Sequence, residues 1–143
     1  MHEFHGSCHC GNLEIDYTSP TAAADTAVRA CQCTFCRKHD ARSVSASTGS
    51  LVITARDEGL LERYRFGLEV TDYLVCRKCG VYVSAYMQRG DEAYGNVMVN
   101  VLDQREDFPQ PAPLVLDGED ADGKWRRRQG QWTPAVLRIA GGQ

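Results

Sequence analysis

The chain has no apolar run near the ~18 residues that a membrane-spanning helix needs. Its first residues, MHEFHGSCHCG, lack a basic stretch followed by an apolar one, so a secretory signal is not expected. It has no basic excess either. Lys and Arg number 16 against 19 Asp and Glu, and the pI near 5.8 argues against a general nucleic-acid binder, which needs a positive field. Large aliphatics are scarce: Leu, Ile, Val and Phe make up about a fifth of the 143 residues, near the low edge for a self-sufficient core. A net charge of only −3 excludes disorder by self-repulsion, so the core is expected to draw support from elsewhere.

Seven cysteines are the obvious source. Their share, about 5%, falls below the ~8–10% of a disulfide scaffold, and an odd count cannot pair fully. Thiols in a chain without an export signal point to metal or catalysis in a reducing compartment, so the expected location is cytoplasmic.

Strand signals dominate the chain. Leu13 to Tyr17 alternates apolar and acidic side chains, and Ser43 to Ser47 and Leu51 to Thr54 flank a turn at Thr48-Gly49-Ser50. Val70 to Val75, Val81 to Met87 and Asn96 to Leu102 are rich in β-branched and aromatic residues. Residues 22–30 are Ala-rich and fit either a helical turn or a loop. With no βαβ rhythm, these segments predict an all-β fold of small antiparallel sheets. Residues 1–108 form the expected β domain. Residues 109–143, which open with Pro109, Pro111 and Pro113 and continue with an acidic stretch and the run KWRRR, are expected to be a partly ordered C-terminal extension packed through Leu114, Trp125 and Trp132.

The cysteines fall into three groups: Cys8 and Cys10; Cys31, Cys33 and Cys36; Cys76 and Cys79. Two short pairs, each followed by Gly, make one closed four-thiolate zinc site of Cys8, Cys10, Cys76 and Cys79. The competing reading is ordinary buried cysteines or a redox pair, which would expect a βαβ context. Cys31, Cys33 and Cys36 supply three ligands for a second zinc, and three ligands with a vacant position is the arithmetic of a catalytic site. His39 is the alternative: as a fourth ligand it would close the site. His9 is expected to point away from the metal, and His2 and His5 to be solvated.

A zinc held by three thiolates acidifies water weakly, so hydrolysis is not its natural task. A soft site suits an exchangeable thiol, which as thiolate attacks a carbonyl carbon or leaves when a carbon–sulfur bond breaks. Arg37 and Lys38 stand beside these ligands and are the candidate partners of a substrate carboxylate. Tyr73, Tyr82 and Tyr86 are candidate pocket residues. The partners expected are a small-molecule thiol and an aldehyde, not nucleic acid or membrane, and a homodimer is left open.

GSCHCG, ACQCTFCRK, VCRKCGVYV and VNVLD together resemble the glutathione-dependent formaldehyde-activating enzyme family, which includes centromere protein V. The resemblance covers roughly residues 6–103. It implies a β-tent fold stapled by a four-cysteine zinc, with Cys8, Cys10, Cys76 and Cys79 as the structural site. It further implies Cys31, Cys33 and Cys36 as the catalytic-type site, and carbon–sulfur lyase chemistry on a glutathione–aldehyde adduct. A non-catalytic two-zinc binding module, akin to a chaperone or exchange factor, is the rival from another class.

Overall fold

The computed structural model describes residues 1–116 and 118–140. The strands are β1 (His2–Ser7), β2 (Leu13–Ser19), β3 (Arg29–Cys31), β4 (Ser43–Val44), β5 (Ser50–Ala55) and β6 (Leu61–Tyr64). They continue as β7 (Asp72–Cys76), β8 (Tyr82–Arg89), β9 (Glu92–Gly95), β10 (Val97–Met98), β11 (Ala112–Leu114) and β12 (Thr133–Ile139). Two helices interrupt them, α1 (Thr34–His39) and α2 (Ala121–Gln131). No helix among the described residues is long and apolar enough to cross a membrane.

The fold is mostly β, as the strand signals predict. It has an eight-stranded sheet, in the order β1-β2-β5-β12-β9-β8-β7-β6, and a four-stranded one, β10-β4-β3-β11. The period-2 pattern decides which face is buried: Leu13, Ile15 and Tyr17 of β2 lie opposite Ala55, Ile53 and Leu51 of β5, and all six are buried in the main core. β8 is buried on both faces. Val83 and Tyr86 join the main core, whereas Tyr82, Ala85 and Met87 join a second cluster with Cys36, Met98 and Trp132.

Several features differ from the expectation. Both sheets are mixed, because β12 runs parallel to β5 and β11 parallel to β3. Strand β12 is not evident from the proline-rich, charged tail, yet it lies inside the large sheet between β5 and β9. Residues 23–25 form a 3-10 turn leading into β3, which resolves the Ala-rich segment. The segment from Asn96 to Leu102 holds only the short β10 before a 3-10 turn at Val99–Val101. His2 and His5, expected at a fraying end, belong to β1; both are exposed, and His5 Nδ1 meets Asp16 Oδ1 at 2.6 Å.

Candidate metal centre and adjoining cavity

Two tight turns build the first thiol cluster. The β1–β2 loop carries Cys8 and Cys10, closed by the Cys8 N–H donating to the Leu13 carbonyl at 2.9 Å. The β7–β8 turn carries Cys76 and Cys79, closed by the Gly80 N–H donating to the Cys76 carbonyl at 2.8 Å. Gly11 and Gly80 have φ of 85° and 79°, a region that side-chain-bearing residues seldom enter. Cys8 and Cys76 are buried in the main core. Cys10 Sγ lies 3.8 Å from Cys8 Sγ and 3.5 Å from Cys76 Sγ. These gaps are far too long for a disulfide, and a zinc about 2.3 Å from each of four tetrahedral sulfurs separates them by about 3.8 Å. His9 is exposed and stands outside this group.

Cys31 ends β3, Cys33 caps α1 and Cys36 sits in the first turn of α1. The Cys36 N–H donates to Cys33 Sγ at 3.3 Å. The sulfurs of Cys31, Cys33 and Cys36 lie within 4.8 Å of one another, as do those of the other four cysteines. Asn100 holds the segment after α1 in place: its Oδ1 accepts from the Arg42 N–H, and its Nδ2 donates to the Asp40 carbonyl, both at 3.0 Å.

The chemistry of both donor sets fits a cation. Burial pushes the Cys8 thiol up to about 12 and raises Cys76 as well. In the second cluster, hydrogen bonds from Cys31 and Cys36 pull Cys33 well below the ordinary thiol range. The same crowding, from Cys31 and Cys33, together with burial, pushes Cys36 up. Thiols this close cannot all ionise unaided, and a thiolate-binding dication such as Zn²⁺ removes the conflict.

His39 is not one of the second cluster's donors. Its ring packs against Phe35, with centroids 4.5 Å apart, and against Tyr82 at 5.5 Å. Phe35 also contacts Tyr64, Phe66 and Tyr73. This aromatic stack accounts for the position of His39 without a metal.

A half-enclosed cavity of about 140 Å³ adjoins Cys31, Cys33 and Cys36. Tyr73 and Tyr82 line it and Tyr86 does not; Tyr86 donates instead to Gln88 Oε1 at 3.1 Å. Arg37 and Lys38 are exposed and stand outside the lining, so the cations of the cavity are others: Arg29, Lys124, Arg127 and Arg128. Three of these come from α2. Lys124 and Arg128 share a helix face at i, i+4 spacing, the one signal in KWRRR that marks them. Arg127 is taken by Glu119 through contacts of 2.9 and 3.0 Å. Burial pulls Arg29, Lys124 and Arg128 below their ordinary values, and raises both Tyr73 and Tyr82.

Comparison with known proteins agrees with this geometry. No curated protein matches the chain. It is similar to the crystal structure of a Rhodobacter sphaeroides protein, a structural genomics target. The two share 25% identity at a TM-score of 0.51, over 95% of this chain and 99% of that one. Residues 3–115 match the family described as glutathione-dependent formaldehyde-activating enzyme. The chain, with its two thiol clusters joined to one mostly-β frame, belongs to that family.

Proposed function

We propose that the protein is a carbon–sulfur lyase that forms or cleaves the adduct of a small thiol and an aldehyde. One observation carries the reading. Four thiols gather at one site, three gather beside a cavity at the other, and the nearby His39 is stacked on aromatics instead of joining the three. Cys8, Cys10, Cys76 and Cys79 would hold a structural zinc. Cys31, Cys33 and Cys36 would hold a second with a position to spare. Zinc bound there supplies a soft Lewis acid that favours the thiolate form of an incoming thiol near neutral pH.

The chain's own residues provide the rest. Tyr73 and Tyr82 line the cavity, and their raised pKa values keep the phenols protonated. Each can donate a hydrogen bond to the oxygen of a carbonyl group. In the forward direction a sulfur lone pair forms the C–S bond, the C=O π pair moves to oxygen, and that oxygen takes up the proton the thiol gave up. In reverse the oxygen loses its proton, C=O re-forms, and the thiolate leaves and regains that proton as free thiol. Ala41, Ala85, Met98 and Trp132 give the cavity apolar walls, which strengthen these polar contacts by excluding water.

The test is adduct formation from glutathione and formaldehyde, followed by NMR with the zinc-loaded protein. Acceleration above the spontaneous rate, lost in Tyr82→Phe and Cys33→Ser, supports the lyase reading. A rate equal to the spontaneous one at high protein concentration supports the binding-module rival instead.

A further inference from the structure

Three cations line the three-thiol cavity with no carboxylate paired to them among the described residues. Among the described residues no Asp or Glu lines it, and Arg29, Lys124 and Arg128 make no ion pair. Arg128 is only 4% exposed. Its guanidinium lies 4.1 Å over the Trp132 ring. Nη1 donates to Thr71 Oγ1 and to Met87 Sδ, while Nε is buried with no partner. Arg29 donates from Nη2 to Ser45 Oγ, and its Nε is likewise buried and unpartnered. Glu119, just before α2, is held by Arg127. Burying guanidinium groups this way is costly unless an anion completes the site.

Charge and size narrow what that anion is. Three thiolates around a dication leave one negative charge, whereas the unpaired side chains carry three positive ones, so two remain to be answered. A cavity of about 140 Å³, at about 10–15 Å³ per water position, holds on the order of ten heavy atoms. That is about half of a tripeptide thiol. Because the cations and the three thiols line the same cavity, the anionic group lies close to the reacting atoms. A neutral aldehyde such as formaldehyde has no use for these cations.

We propose that the site takes a small substrate carrying a carboxylate within a few bonds of the reacting sulfur or carbonyl carbon, a thiol acid or an oxo acid. Arg29, Lys124 and Arg128 hold that carboxylate. The inference rests on the three-thiol cavity being the substrate site. Lys124 and Arg128 lie beyond residues 3–115, the part matched to the family, whereas Arg29 lies within it, so two of the three cations come from this chain's tail.

The experiment is calorimetric titration of the zinc-loaded protein with two matched pairs: mercaptoacetate against 2-mercaptoethanol, and glyoxylate against glycolaldehyde. Acetate serves as the control. The carboxylate member of at least one pair binds roughly 10- to 100-fold more tightly than its neutral twin, the range expected for charge-assisted hydrogen bonds. The pair that shows the difference identifies which partner bears the carboxylate. Lys124→Met and Arg29→Gln narrow the difference; they keep the test open if Arg128→Gln fails to fold. Equal affinity within both pairs overturns the inference, and tight binding of both thiols would then leave the lyase reading standing. Acetate binding as well as mercaptoacetate and glyoxylate keeps the anion site and removes the lyase reading.

Discussion

Replacing Cys76 with serine removes one sulfur from the four-thiol cluster, and its cost follows from topology. Cys10 and Cys76, 66 residues apart in sequence, have sulfurs 3.5 Å apart. With three ligands left, zinc is held far less tightly, and a mild chelator opens the cross-link. Closing a loop of this length is worth about 4 kcal/mol in the chain-entropy treatment. Cys76 is fully buried, and an unpartnered hydroxyl in its place adds about 1–3 kcal/mol. The total, about 5–7 kcal/mol, is most of the roughly 5–15 kcal/mol that a domain has. Cys76→Ser should therefore melt roughly 10–25 °C below wild type in circular dichroism. Zinc content, measured in the same samples, should fall. A variant that melts within about 2 °C of wild type, with unchanged zinc, would refute the assignment of this cluster as the structural staple.

Cys33→Ser should instead keep the fold and lose the second metal, because a serine hydroxyl caps α1 as well as a thiol does; melting curves and zinc per chain check this. A collapse as complete as that of Cys76→Ser would show that the clusters do not divide into structural and functional sites. His39→Ala should retain the zinc of wild type and cost about 0.5–1.5 kcal/mol, the packing of its ring on Phe35 and Tyr82; loss of one zinc would make His39 a ligand. Hydrogen bonding to Arg127 holds the Glu119 carboxyl below its ordinary 4.5. Its contribution is present above that value and lost as the pH falls through the lowered one. Below pH ~4.5 the anchoring of α2 should weaken, seen as faster amide exchange in residues 121–131, and Glu119→Gln should remove that pH dependence.

The thiol clusters are legible in the sequence because short spacing leaves their members little freedom. Cys31, Cys33 and Cys36 cannot be far apart, and the Gly after Cys10 and Cys79 marks each turn. The position of His39 is not legible. It depends on Phe35 meeting Tyr64, Phe66 and Tyr73 from β6, β7 and the loop between them, contacts that tertiary structure alone creates. The sequence points to cations next to the ligands, at Arg37 and Lys38, yet those of the cavity stand in α2 and at Arg29. What brings α2 there is the insertion of β12 between β5 and β9. Ala135, Leu137 and Ile139 alternate with exposed residues in β12, but the exposed Val136 breaks that alternation in the sequence, and Pro134 and the charged run before it hide the strand further.

The central claim is that Cys31, Cys33 and Cys36 hold a zinc with a position left for a substrate thiol. Zinc X-ray absorption on the fully loaded protein, before and after adding mercaptoacetate or glutathione, measures this directly. With one four-sulfur and one three-sulfur site the mean count is about 3.5 sulfurs per zinc, and a thiol entering the second site raises it to about 4. A count that starts near 3.5, with the remainder nitrogen, and stays there at saturating thiol would contradict the claim and make the second site a closed structural one.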